Sequence, residues 1–169
     1  MSAMMKAAVF IEPGRIEITD KRIPDVGPND ALMRITTTTI CGTDVHILKG
    51  EYPVAKGLTV GHEPVGVIEK LGSAVQGYLE GQRVIAGAIC PNFNSYAAQA
   101  NLAPIPDGLS DEQVLMCPDI MSTGFKGAQN ANIRIGDTVV VFAQGPIGLC
   151  ATAGARLLGA TRIIAVDGN

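Results

Sequence analysis

Apolar and polar positions change rhythm once along this chain. In the first two thirds they alternate over short runs broken by Gly and Pro, the pattern of half-buried strands joined by turns. Lys6 to Ile11 and Arg15 to Thr19 flank Pro13-Gly14, which predicts a hairpin. Ala31 to Thr38 alternates and is rich in β-branched residues, so it predicts a third strand. Two more strands are expected at Val65 to Lys70 and Arg83 to Ala88, joined by a glycine-studded turn, and a loop-rich stretch runs on to Pro106. After Ser110 the rhythm becomes helical. Ser110 and Gln113 form the ends of a capping box for a helix to Met116, and helical character returns from Asp119 to Gln129. Thr138 to Phe142 then reads as an apolar strand, Pro146 to Leu158 as a helix and Arg162 to Val166 as a second strand, which is a βαβ unit with a parallel sheet. The domain boundary falls between Ser110 and Asp119, giving domains 1–115 and 116–169.

Composition narrows the class. Hydrophobic residues make up 47% of the 169 residues and aromatic residues only 4%, so the core must be aliphatic. The net charge is -3 with no basic run, which argues against nucleic acid or an anionic membrane as partner. No apolar stretch reaches the length of a membrane span, and Met1 to Phe10 lacks the apolar core and cleavage site of a signal peptide. Cys41, Cys90, Cys117 and Cys150 lie far apart and form no CxxC pair, so free thiols in a cytoplasmic setting are expected rather than a disulfide framework.

Two constellations carry candidate chemistry. Both histidines of the chain fall close to a cysteine or a carboxylate, in Cys41-Gly42-Thr43-Asp44-Val45-His46 and in Gly61-His62-Glu63. A thiolate, an imidazole and a carboxylate are ligands that a catalytic zinc accepts. A buried small cysteine and a hydrogen-bonded turn histidine would leave the same trace. The second constellation is Ala143-Gln144-Gly145-Pro146-Ile147-Gly148, a dinucleotide-binding glycine loop whose first glycine is replaced by Ala143. It follows a strand, opens a helix and lies within a βαβ unit, which is the context such a loop requires. Gly145 would let the backbone approach a pyrophosphate, Gly148 would let helix and strand pack closely, and the start of the helix at Pro146 and Ile147 would hold the phosphates. Ala143 is expected to serve wherever the turn needs no positive φ. Asp167 ends the second strand about 20 residues past the loop, where an acid accepts from the ribose hydroxyls and repels a 2′-phosphate, so NAD is expected over NADP.

Taken in order, Ile40-Cys41-Gly42-Thr43-Asp44, Gly61-His62-Glu63-Pro64-Val65-Gly66-Val67, Gly72-Ser73-Ala74-Val75, Gly81-Gln82-Arg83-Val84, Pro118-Asp119-Ile120-Met121-Ser122-Thr123-Gly124-Phe125 and Gly136-Asp137-Thr138-Val139 resemble the medium-chain zinc-dependent alcohol dehydrogenases. The resemblance implies a mixed α/β fold: a GroES-like β-barrel catalytic domain, then the first βαβ unit of a Rossmann domain. It implies one catalytic zinc held by Cys41, His62 and a third ligand before the Ser-Thr-Gly helix. Many members carry Cys there; Asp119 here resembles the bacterial secondary-alcohol branch, with Cys117 two residues earlier as its competitor. Glu63 would be a near or transient fourth ligand, Thr43 would contact the alcohol oxygen, His46 would pass the proton to solvent, and Asp44 would orient His62 through its other ring nitrogen.

The implied activity is hydride transfer between a small secondary alcohol, or its ketone, and NAD, in a homo-oligomer. The resemblance also implies absent parts. Cys90-Pro91 runs straight into Asn92-Phe93-Asn94, with no four-cysteine loop for a structural zinc, the stretch Tyr96 to Asn101 looks clipped, and the chain stops past the second Rossmann strand, so it reads as truncated. The rival expectation is an inactive remnant that kept a zinc-binding or oligomer-forming role. A zinc-free, quinone-reductase-like member is disfavoured by the presence of Cys41, His62 and Asp119 together.

Overall fold

The computed structural model describes residues 3–88 and 101–168. Two compact units divide the chain, Met1–Leu115 and Met116–Asn169.

The first unit opens with an antiparallel hairpin, β1 (Met4–Glu12) and β2 (Arg15–Arg22). Its reversal is made by Gly14, which takes φ 84, a value L side chains rarely adopt. A four-stranded antiparallel sheet follows, in the order β3 (Ala31–Thr38), β4 (Pro64–Leu71), β5 (Arg83–Ala86) and β6 (Leu102–Pro104). A bridge between Val9 and Thr59 ties the hairpin to the segment leading into β4. The core is aliphatic as the composition requires, with Val65, Ile68 and Val84 wholly buried. Gly66 lets β3 and β4 approach: a Cβ there would sit 2.3 Å from the Arg34 carbonyl oxygen.

Between β3 and β4 the chain forms α1 (Gly42–Lys49), a helix the hydrophobic pattern does not announce. The unit closes with the short helix α2 (Asp111–Val114). Its capping box is the expected one: the Gln113 N–H donates to Ser110 Oγ and the Ser110 N–H to Gln113 Oε1. Asp111 fastens this helix to the sheet, accepting from Thr36 Oγ1 at 2.5 Å and pairing with Arg83, whose other nitrogen donates to the Leu109 carbonyl at 3.0 Å. These contacts hold the Asp111 carboxyl below its ordinary value; the Thr36 hydroxyl contributes most and Arg83 next.

The second unit begins with a π-helical turn (Cys117–Met121) running into α3 (Ser122–Asn130). Then come β7 (Thr138–Phe142), α4 (Pro146–Leu157) and β8 (Arg162–Val166), with the two strands parallel and paired Thr138 to Arg162 through Phe142 to Val166. Gly124 and Gly154 bring α3 against α4: a Cβ at Gly124 would lie 2.6 Å from the Cys150 Cβ, and one at Gly154 would lie 3.0 Å from the Ala128 Cβ. Val139 and Val141 point to the covered face of the two-stranded sheet and are half-buried. Val140, Phe142, Ile164 and Val166 share the other face and are exposed, Phe142 by 74%.

Candidate metal and dinucleotide site

In the first unit, the sequence between β3 and β4 places both candidate ligand segments. Cys41 is the residue before α1, half-buried, with its sulfur 3.9 Å from Thr43 Oγ1. Asp44, at the third helical position, turns back so that its Oδ2 accepts from the Cys41 N–H at 2.8 Å. Its other oxygen, Oδ1, is buried, makes no hydrogen bond among the described residues, and stands 3.5 Å from Nδ1 of His62. One carboxylate therefore reaches both ligand-bearing segments. A carboxylate on Nδ1 leaves Nε2 as the nitrogen available to a metal, the usual arrangement behind a metal-bound histidine. A side-chain hydroxyl adds a second tie, as Thr38 Oγ1 donates to the Glu63 carbonyl at 3.3 Å.

Glu63 itself, the residue before β4, is wholly buried. A surface charge at this position, the plain alternative for a Gly-His-Glu triplet, is ruled out. Thr43 and His46 are exposed, three positions apart on α1, so they lie on one helical face. His46 Nδ1 is hydrogen-bonded to Glu51 Oε2, a partner that sequence reasoning missed.

In the second unit, Asp119 lies in the π-helical turn and its Oδ1 accepts from Thr123 Oγ1 at 3.3 Å. Cys117 turns its sulfur to Met121 Sδ at 3.8 Å. Ser122 Oγ donates back to the carbonyls of Pro118 and Asp119, which holds the turn closed. Cys90 and the segment expected to lack a structural-zinc loop lie outside the described residues.

The glycine loop joins β7 to α4. Gly145 caps the helix with extended backbone and open space around its missing Cβ, and Pro146 opens α4 with Ile147 and Gly148 in its first turn. A Cβ at Gly148 would fall 1.8 Å from the Ala143 carbonyl oxygen, so no other residue fits there. The turn at Ala143 corrects one expectation. It does need positive φ, and Ala143 supplies it at φ 67. The tight turn that a first glycine would make is thus made under strain by an L residue. Asp167 follows β8 and accepts from the Gln144 N–H, so it closes over the loop from the neighbouring strand.

A profile of the alcohol dehydrogenase GroES-like domain matches residues 27–116, the stretch that holds β3 to β6, Cys41, His62 and Asp44. The chain belongs to the alcohol dehydrogenase family. An alcohol dehydrogenase of Cupriavidus necator is 70% identical over 217 residues, covering all of this chain and 59% of that protein. An NADP-dependent isopropanol dehydrogenase of Entamoeba histolytica is 36% identical, covering 96% of the chain and 54% of that protein. Among solved structures, the alcohol dehydrogenase TADH from Thermus sp. ATN1 superposes with a TM-score of 0.88 at 30% identity, over 96% of this chain and 58% of its own. A putative zinc-binding dehydrogenase from Sinorhizobium meliloti, bound to NADP, gives 0.79 at 30% identity, over 96% of this chain and 56% of its own. The chain thus spans between half and three fifths of the length of these relatives. The GroES-like domain and the mixed α/β fold expected from the motifs are those of the family. Among the described residues, no helix is long and apolar enough to cross a membrane.

Proposed function

We propose that the chain carries the metal-binding and dinucleotide-binding machinery of an enzyme that exchanges hydride between a small secondary alcohol, or its ketone, and a nicotinamide dinucleotide. The carrying observation is Asp44, whose two oxygens address the Cys41 backbone and the His62 ring at once. An ordinary core cysteine and turn histidine need no shared buried carboxylate. The donor set fits zinc: a thiolate from Cys41, the Nε2 of an imidazole backed by a carboxylate at His62, and a carboxylate from Asp119, with Glu63 as a fourth group that engages transiently. Zinc supplies Lewis acidity, which lowers the pKa of an alcohol hydroxyl.

The protein's own residues handle the proton. The Thr43 hydroxyl accepts it from the substrate alcohol while passing on its own, because a hydroxyl both donates and accepts. His46, on the same face of α1, takes it next and releases it to solvent, where its exposure serves the task. Gly145 and the first turn of α4, at Pro146, Ile147 and Gly148, receive the pyrophosphate on backbone N–H groups. Asp167 takes the ribose hydroxyls, and its charge supports NAD. The isopropanol dehydrogenase relative is named for NADP, so cofactor choice is tested directly: Asp167→Gly in the longest available version of the protein should weaken NAD and narrow its lead over NADP.

The deciding experiment pairs zinc content with ketone-dependent NADH oxidation on one purified sample. About one zinc per chain is expected. Cys41→Ala should abolish it and Cys90→Ala should not. Equal zinc in wild type and Cys41→Ala would overturn the assignment. Zinc without turnover would favour the second reading, a zinc-binding or oligomer-forming remnant, and the open apolar face of β7 and β8 gives that reading its physical basis.

A further inference from the structure

The helix that carries Thr43 and His46 ends in a way that assigns a role to Glu51. Gly50 takes the left-handed conformation at φ 77, and a side chain there would also press on Pro13 at 3.0 Å. Two backbone bonds then close the end. The Gly50 N–H donates to the Ile47 carbonyl at 3.0 Å, and the Glu51 N–H reaches back to the His46 carbonyl at 2.9 Å. This is the Schellman motif, which sets the residue after the left-handed glycine beside the residue five positions before it. Ordinarily those two side chains make an apolar contact. Here they are Glu51 and His46, and the contact is a hydrogen bond between Glu51 Oε2 and His46 Nδ1. The Gly14 N–H donates to the Leu48 carbonyl at 2.6 Å, so the hairpin turn anchors the same helix end.

An ionised carboxylate only accepts, so the bond requires a proton on Nδ1. In the neutral ring Nε2 is then the basic nitrogen. We propose that Glu51 is a positioning residue that holds His46 in its Nδ1–H tautomer and so makes Nε2 the atom that takes the proton arriving from Thr43. This rests on the relay reading of His46 given above. On an exposed histidine it parallels the approach of Asp44 Oδ1 to Nδ1 of His62 at 3.5 Å, but here the carboxylate is within hydrogen-bond distance. Glu51 touches neither substrate nor cofactor in this scheme; it acts through the ring.

The chain has only two histidines, which makes the test direct. Long-range proton–nitrogen correlations of the imidazole rings in the 15N-labelled, zinc-loaded chain report which nitrogen bears the proton, at about pH 8.5, above the ordinary histidine pKa. His46→Gln assigns the two patterns, and the His62 pattern reports that the fold is kept. Wild-type His46 should show the Nδ1–H form. Glu51→Ala should lower the ratio of Nδ1–H to Nε2–H by about fivefold or more, the bias that one ordinary hydrogen bond supplies. A wild-type ring already in the Nε2–H form, or a ratio unchanged in Glu51→Ala, would overturn the proposal. Failure of the relay itself has a different signature: His46→Gln would leave the pH–rate profile of ketone reduction unmoved while the tautomer result stands.

Discussion

Asp44 Oδ1 stands 3.5 Å from Nδ1 of His62, across the gap between the helix that follows Cys41 and the strand that follows His62. The second oxygen of the same carboxylate caps the start of that helix. Removing it should therefore loosen two ligands at once. Asp44→Ala is expected to weaken zinc binding by about 10- to 100-fold, the range for carboxylates that back a metal-bound histidine. Competition against a chelating dye measures it. An affinity within a factor of two of wild type would mean that Asp44 serves the helix cap alone.

The third donor divides Asp119 from Cys117. The Cys117 sulfur is turned to Met121 within its own turn, whereas one Asp119 carboxylate oxygen accepts from Thr123 Oγ1 at 3.3 Å. Asp119→Ala should cost most of the bound zinc and Cys117→Ala little, as read by metal analysis after desalting. The opposite pattern would move the assignment to the thiol.

A methyl group is unfavourable at two positions of the glycine loop, so removing it at one and adding it at the other should move stability in opposite directions. Ala143 sits at positive φ, where an L residue is strained by about 1–2 kcal/mol. Part of the gain from Ala143→Gly is offset by the greater freedom of glycine in the unfolded chain, about 0.4–1 kcal/mol. A net stabilisation of roughly 0.5–1 kcal/mol is expected from the two together. Gly148→Ala places its Cβ against the Ala143 carbonyl and should destabilise by more than about 2 kcal/mol, since the backbone must move. Denaturant titration of both variants separates the signs.

Acid should release α2 from the sheet. Asp111 is held below the ordinary aspartate value of 3.8, first by Thr36 and then by Arg83. A depressed carboxyl stabilises the fold above its unfolded value, and that contribution is lost as pH falls through its lower folded value. Asp111→Asn should therefore melt below wild type at pH 7, and the gap between them should close as pH falls below about 4. Thermal melts monitored by far-ultraviolet circular dichroism across that range test it. A gap independent of pH would assign the loss to packing of the helix rather than to charge.

Much of this architecture is legible in the sequence, for reasons that differ by element. β3 and the βαβ unit are plain because β-branched residues alternate or cluster between glycines. The capping box at Ser110 is visible because its two partners are local. Other features depend on geometry that residue types do not declare. Helix α1 mixes Thr, Val and Ile, which favour strands, and its start is fixed by Asp44 folding back. β6 is three residues long and ends at Pro104; proline is tolerated there because, among the described residues, the strand is at the sheet edge. The burial of Glu63, the positive φ of Ala143 and the pairing of Glu51 with His46 each follow from how segments meet, so none could be read from the residues one at a time.

The open face of the β7–β8 sheet has a practical consequence. Val140, Phe142, Ile164 and Val166 form an apolar surface on two strands that carry little charge and no proline, with one edge of each strand unpaired among the described residues. Such a ribbon is a template for its own copies, and its hazard grows with concentration. Recombinant yield of this chain is then set by this exposed face: slow induction in the cold should return soluble material, and strong induction should drive it into inclusion bodies. Phe142→Lys, on the exposed face, should shift that balance toward solution while leaving the zinc content where it was, since Phe142 is none of the proposed ligands.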